Sequence, residues 1–470
     1  MSLFSRFRWF LAPSVLQAAV AFATLPLATI ILGPQDYGAY AVVAAITGLA
    51  SSVACMGSSY LLAQAFSGGR QDEIRQLISQ LLAISGGLAS LLAAILILSW
   101  ITITGMFDNL ASVPKAGFVL SALGVLPATI WAIALDVLTL QGRAKVFAQI
   151  VIGQSSVAAA VLLLCLFGAG MGRMSLFVSN FVGLMVLGLG SLVCLWRYIE
   201  RPSFAREKLV VFKSALFLTS ANLIEVAYQP IERNLLAMNC GLLTLGLYTH
   251  AQQYRSIVAT ATKALSRSIW PSTLEEARRA TLLFPKTNRY WQLSYLFLSV
   301  IGLGFATLGD VFIGLLTHGK FVGAGAFAAM SIAYLLVQNS GKPHTGFMYA
   351  HGYASPYAQF SIVSSLAGLA CALIAIPLWG VWGGILSIFL QQAVMRIAIQ
   401  IYAGRIAKIP FQDGGIIVGL LLISAATLAN EVLHPGLPLQ FAIFVLTAAV
   451  AAGYHRIFSG AQRNSVEQVA

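Results

Sequence analysis

"QGRAKVFAQ" occupies residues 141–149, and "HGYASPYAQ" occupies residues 351–359. The two stretches share Gly, Ala, an aromatic ring, Ala and Gln at a constant offset of 210, which still holds at Gly170 and Gly380. A second echo stands near the front of each copy. "GPQDYGAY" (33–40) and "GLLTLGLY" (241–248) share the pattern Gly-x4-Gly-x-Tyr at an offset of 208. Two matches that nearly agree in offset and in order argue for a duplicated unit. The paired glycine segments are expected to form tight turns, where glycine supplies backbone conformations that other residues resist.

What is duplicated is a set of membrane spans. The chain is 59% hydrophobic and only 9% charged, whereas an ordinary globular chain carries roughly 25% charged residues. Apolar runs near the ~20 residues that cross a bilayer recur from end to end. They fall at 9–32, 38–66, 77–101, 116–139, 147–168, 174–196, 211–237, 242–270, 290–315, 325–350, 357–378, 381–403, 414–430 and 438–457. The expected fold is therefore an all-α polytopic membrane protein with about fourteen transmembrane helices. Each copy holds an even number of spans, so the copies are parallel, related by an axis along the membrane normal. The expected organisation is a six-helix lobe over 1–200, a second over 211–405, and two further helices over 411–460.

Orientation is read from the basic residues. With the N-terminus inside, nineteen fall on the cytoplasmic side: Arg6, Arg8, Arg70, Arg75, Arg143, Lys145, Arg197, Arg201, Arg206, Lys208, Lys213, Arg278, Arg279, Lys286, Arg289, Arg405, Lys408, Arg456 and Arg463. The outer loops hold Lys115, Arg173 and Lys320. Both termini are expected in the cytoplasm. The net charge of +13 then reflects topology, not nucleic-acid binding. The run ending at Ala21-Phe22-Ala23 mimics a signal peptide, but it continues too far, and we expect it to stay as the first span. The five cysteines and six histidines are scattered without metal-ligand or CxxC spacing. Gly168, Gly170 and Gly172 read as a helix end. No cofactor and no metal are expected.

Polar groups inside the spans are the remaining clue. In "YTHAQQYRSIVATATKALSRS" (248–268), Arg255, Ser256, Lys263 and Arg267 follow Gln252 at spacings that share one helix stripe. The preceding span carries Asn222, Glu225, Gln229 and Glu232 on a stripe of its own, with Pro230 expected to kink it. A charge facing lipid costs at least ~2.5–3.5 kcal/mol, so such stripes face protein or a water-filled cavity. Ion pairs that hold the lobe together are one reading. The repeat argues for another. At the 208 offset Glu225 matches Gln17, Arg255 matches Thr47 and Lys263 matches Cys55. The first copy builds the same helices without the charges. Lys342 lies in "NSGKPHTG" (339–346), a Gly-Lys-Pro break inside the 325–350 span, and is expected to line the same cavity. Arg233 and Arg396 lie near enough to span ends to snorkel, with a cavity role as the alternative reading. A cavity rich in Arg and Lys suits phosphate oxygens.

Three stretches carry a family resemblance: "ILGPQDYGAYAVVAAITGLASSVACMGSS" (31–59), "IERNLLAMNCGLLTLGLYTHAQQYRSI" (231–257) and "ALIAIPLWGVWGGILSIFLQQAV" (372–394). In order and coverage the chain resembles the Wzx-type polysaccharide flippases of the multidrug/oligosaccharidyl-lipid/polysaccharide exporter superfamily. It departs mildly at Glu232, where the family commonly has Asp before Arg. The resemblance implies a transporter and not an enzyme. It implies movement of an undecaprenyl-pyrophosphate-linked glycan across the bacterial plasma membrane by alternating access, coupled to an ion gradient. Its implied partners are the bilayer, that lipid-linked glycan, glycosyltransferases and a polysaccharide polymerase. On this reading Arg255, Lys263, Arg267, Gln252, Lys342, Asn222 and Gln229 contact substrate, and Glu225 and Glu232 couple the ion. A multidrug cation/proton antiporter of the same superfamily and an integral-membrane glycan polymerase or ligase are the competing readings.

Overall fold

The computed structural model describes residues 26–55, 71–100, 113–200, 209–278, 287–351, 353–407 and 414–467, with a few isolated positions between 16 and 66. Among these residues the chain is all-helical, with fourteen α-helices. By compactness it divides into two units, Arg8–Gly246 and Leu247–Ala470.

The first unit contains α1 (Pro34–Ala54), α2 (Gln71–Leu98), α3 (Lys115–Leu123), α4 (Val125–Leu140), α5 (Ala144–Leu163) and α6 (Met174–Leu195). α5 runs on into a π-helical turn, Leu164–Gly168, before the hairpin to α6. Its core is aliphatic: Leu61, Leu62, Ile74, Ile78, Leu81, Ile133, Val137 and Leu195 pack together. α1 begins without a hydroxyl cap. Instead the Asp36 carboxylate accepts the Gly33 amide at 3.0 Å, and Pro34 opens the helix where no backbone donor is required.

α7 (Leu209–Arg278) is one long helical stretch with non-helical dihedrals at Gly241 alone (φ 78°, ψ 167°). The turn expected at the repeated Gly-x4-Gly-x-Tyr motif thus falls at Gly241, between the expected spans, whereas the kink expected at Pro230 leaves the dihedrals there helical. A proline ring removes one hydrogen bond and can be absorbed by a continuous helix, whereas a positive φ cannot. The partner glycine of the repeat behaves differently, since Gly33 has φ −103°. The other repeated pair does share a conformation: Gly170 and Gly380 both lie in positive-φ backbone, at φ 61° and 57°.

The start of α1 and the turn after Gly241 meet backbone to backbone. A Cβ on Gly38 would strike the carbonyl oxygen of Leu242, and one on Gly246 would strike that of Pro34. The contact is reciprocal, because Pro34 and Leu242, like Gly38 and Gly246, are related by the 208 offset.

The second unit adds α8 (Asn288–Leu316), α9 (Ala324–Asn339), α10 (Lys342–Ala350), α11 (Ala354–Trp379), α12 (Val381–Ala407), α13 (Gly414–Leu433) and α14 (Leu437–Glu467) to the rest of α7. Trp291, Tyr295, Leu298, Leu303, Ile332, Leu336 and Ile423 form its core. The Asp310 carboxylate accepts the amides of Gly323 and Gly325, each at 2.9 Å, and so fixes the turn into α9.

Among the described residues, ten helical stretches are long and apolar enough to cross a membrane. They coincide with all the expected spans but four. The 9–32 span lies largely outside the described residues. The 211–237 and 242–270 spans are the two arms of α7, and most side chains of the first arm lie outside the described residues. The 325–350 span is split into α9 and α10. The buried hydroxyls of Thr47, Thr129, Ser191 and Thr307 donate to the carbonyl four residues back in their own helices, at 2.6–3.1 Å. Large apolar side chains such as Leu98, Val193, Leu421 and Leu446 are outward and exposed. Helices that satisfy their own backbone and turn leucine outward belong in lipid. The protein is a multi-pass membrane protein.

Candidate binding site

The site is built around the break between α9 and α10. Ser340 leaves the helix with ψ 152°, and Gly341 follows in left-handed backbone, φ 60°. The break frees carbonyl groups that must find donors in a dry interior. The Tyr295 hydroxyl of α8 donates to the Asn339 carbonyl at 3.1 Å. The Ser340 hydroxyl donates to the Val337 carbonyl at 2.8 Å. Gly341 is required twice over, by its φ and because a Cβ would meet the Gln400 Nε2 of α12 at 2.9 Å.

The second arm of α7 runs beside α9 in register. Gln252 is buried, and its Nε2 donates to the Ser331 hydroxyl at 3.3 Å. One turn further, the Arg255 guanidinium lies over the Tyr334 ring, 5.3 Å from its centroid. The register then reaches Lys263, whose charge acts on Lys342. The two contacts, 252 with 331 and 255 with 334, keep a constant separation of 79 (331 − 252, 334 − 255). Both numbers rise together, so the two helices run in the same direction, as spans two apart in the chain must.

Arg396 completes the cluster from near the midpoint of α12. It is 9% exposed; its Nη1 donates to the Thr345 hydroxyl at 3.3 Å, and its charge, like that of Lys263, acts on Lys342. The expectation that Arg396 snorkels is therefore corrected. A guanidinium near mid-helix cannot reach an interface and turns inward instead. Arg233 also turns inward, donating from Nη1 to the Ala41 carbonyl of α1 at 3.1 Å.

Of the expected site residues, Gln252, Arg255, Lys263 and Lys342 come together along the α7 arm and the α9–α10 break. Ser256 does not join them; it is exposed and donates back to the Gln252 carbonyl at 2.9 Å. The side chains of Arg267, Asn222, Gln229 and Glu225 lie outside what the structure describes. Glu232 is buried, at 5% exposure, in the first arm of α7. The repeat comparison also has a local counterpart: Thr47, at the position matching Arg255, is buried and spends its hydroxyl on its own helix. Among the described residues, ion pairs are formed by Arg75 with Glu200 and by Arg173 with Asp36, and no carboxylate pairs with Arg255, Lys342 or Arg396. The arrangement is a cluster of ammonium and guanidinium groups, suited to an oxyanion. Sequence reading missed Tyr334 and Thr345, and left Arg396 open between snorkelling and a cavity role.

The fold is that of the MOP-superfamily transporters. The chain resembles the lipid II flippase MurJ in an inward closed conformation, with 14% identity over 97% of this chain and 99% of that one, at a TM-score of 0.64. It resembles an inward-facing multidrug resistance transporter of the MATE family at 12% identity, 91% and 99% coverage and a TM-score of 0.63. It resembles a MOP-superfamily transporter from Pyrococcus furiosus, described as having a binding pocket of reverse polarity, at 13% identity, 87% and 96% coverage and a TM-score of 0.58. No curated protein sequence matches the chain. The pattern of the polysaccharide biosynthesis protein family matches residues 7–271, more than half of the 470 residues. The chain belongs to that family.

Proposed function

We propose that the protein is a flippase that carries an undecaprenyl-pyrophosphate-linked oligosaccharide from the inner to the outer leaflet of a bacterial plasma membrane, with both termini in the cytoplasm. The observation that supports this most is the line of cations Arg255, Lys263, Lys342 and Arg396. Pyrophosphate must cross a low-dielectric region where its charge would otherwise be unsolvated. A row of cations along its path lowers that barrier. The same cations disfavour a site for a cationic drug, which calls for carboxylates. The two six-helix lobes, 1–200 and 211–405, open alternately to each side. Arg267, Gln252, Asn222 and Gln229 join the substrate path. Glu225 and Glu232 couple the cycle to an ion gradient by exchanging partners as the anion arrives. Glycosyltransferases supply the lipid-linked unit, and a polymerase consumes it.

The test is export of surface glycan in a deletion strain complemented with variants. Arg255→Ala with Lys263→Ala should leave the protein inserted and abolish export. Wild-type export by that double variant would sink the proposal. Glu225→Gln should bind the lipid-linked glycan yet lose its dependence on the proton gradient; unchanged dependence removes Glu225 from the coupling step.

A further inference from the structure

The first turn of α10 begins in the protein interior. Gly341, Pro343, His344 and Thr345 are all buried, and no side chain caps the helix start. A helix N-terminus presents unsatisfied amides and a partial positive charge. Into this turn points a second, independent feature. Arg396 of α12, 9% exposed, donates one hydrogen bond, to the Thr345 hydroxyl at 3.3 Å. The hydroxyl itself donates to the Gly341 carbonyl at 3.1 Å, so it presents a lone pair to the guanidinium. The Arg396 Nε is buried without any hydrogen-bond partner. A guanidinium has five N–H donors, and most of these are unspent. Lys342 and Lys263 add charge of the same sign. Cations gathered at the positive end of a helix repel one another, and an anion relieves the repulsion.

The geometry points to a phosphate-binding subsite at the α9–α10 break, held by the Arg396 guanidinium, the Lys342 ammonium and the Lys342 amide at the start of α10, with Thr345 as the residue that positions Arg396. This deepens the flippase reading and rests on it for the identity of the phosphate's carrier. The subsite is separate from the Arg255–Tyr334 station. Eight residues of helix divide Arg255 from Lys263, about 12 Å of rise, more than a diphosphate spans. The substrate headgroup therefore meets two stations in turn along one helix pair.

The test uses the purified full-length protein in lipid nanodiscs, with three probes: geranylgeranyl diphosphate, inorganic pyrophosphate and geranylgeraniol. Wild type should bind the prenyl diphosphate and not the alcohol. Arg396→Gln should weaken binding at least about tenfold, the scale of a lost charge-assisted contact. Arg396→Lys keeps the charge and loses the planar fork, and should fall between the two. Thr345→Val should weaken binding by a smaller factor than Arg396→Gln. If Arg396→Gln does not fold, Arg396→Lys and Thr345→Val carry the test. Competition by inorganic pyrophosphate that disappears in the Arg396 variants assigns the subsite to the phosphate alone. Binding of prenyl diphosphate without such competition assigns it to the lipid headgroup. Equal affinity for wild type and both Arg396 variants, or a wild type that binds neither diphosphate, overturns the subsite. Export lost in the Arg255/Lys263 double variant, with Arg396 variants binding and exporting normally, overturns the subsite and leaves the flippase standing. Diphosphate binding lost in Arg396 variants, with export unaffected by Arg255 and Lys263, does the reverse.

Discussion

Replacing Gly246 with alanine sets a methyl group against the backbone carbonyl of Pro34, with the Pro34 Cα only 2.9 Å away. Two effects compete. In a helix interior, glycine to alanine stabilises by about 0.5–1 kcal/mol. Overpacking costs about 1–3 kcal/mol, and more when the obstruction cannot move aside. Here the obstruction is backbone opening α1, fixed by Pro34 and by the Asp36 carboxylate on the Gly33 amide. No rotamer change relieves it, so the upper end of that range applies, and the net loss should be about 2 kcal/mol or more. Gly48 supplies the internal control, because it lies on the same helix as Gly38 and a Cβ there meets nothing within 4 Å. Gly48→Ala should be neutral to mildly stabilising. Thermal unfolding in one detergent, followed by tryptophan fluorescence and by size-exclusion recovery after heating, reads both. Gly246→Ala should unfold at lower temperature than wild type, Gly48→Ala at the same or higher. Gly38→Ala should resemble Gly246→Ala, since a Cβ there meets the Leu242 carbonyl and the Gly246 amide nitrogen at 3.3 Å. Equal stability of Gly246→Ala and Gly48→Ala would refute the close-approach argument.

Three further outcomes are expected. Asp310→Ala removes the acceptor of two amides and should cost about 1.5–3 kcal/mol, with Asp310→Asn milder, read by thermal unfolding. Arg173→Ala breaks a half-exposed ion pair of 3.3 Å and should cost less than about 1 kcal/mol, whereas Asp36→Ala also loses the contact to the Gly33 amide and should cost about 1–2 kcal/mol. Gly341→Ala should impair folding or export more than Gly153→Ala, because Gly341 has positive φ and meets Gln400, while Gly153 meets nothing within 4 Å; equal export by the two would argue against a required break.

Several features were legible because they depend on local chemistry alone. Apolar run length decides that a segment can cross a bilayer. It located the ten crossing helices, and it drew as continuous the 325–350 span that the structure divides into α9 and α10. The Gly-Lys-Pro signal at 341–343 located the break between α9 and α10, since a glycine beside a helix-opening proline is a local instruction. The stripe of Gln252, Arg255 and Lys263 was visible as spacing on one helix.

What faces that stripe was not legible. That Ser331 and Tyr334 stand opposite at a separation of 79 depends on which helix packs beside α7 and in what register. Helix faces carry no label for their partner. Arg396 shows the same limit. Its distance from a span end left snorkelling open, and the Thr345 hydroxyl waiting beside it belongs to another helix. The break in α7 at Gly241 was legible, because the repeated glycine motif marks a turn between two spans there; that Pro230 leaves the helix unbroken was not. The repeat gave Gly38 and Gly246 as equivalent positions. Only packing in three dimensions showed that each is glycine because the other's helix lies against it, a contact between residues 208 apart (246 − 38) that no local property of the chain specifies.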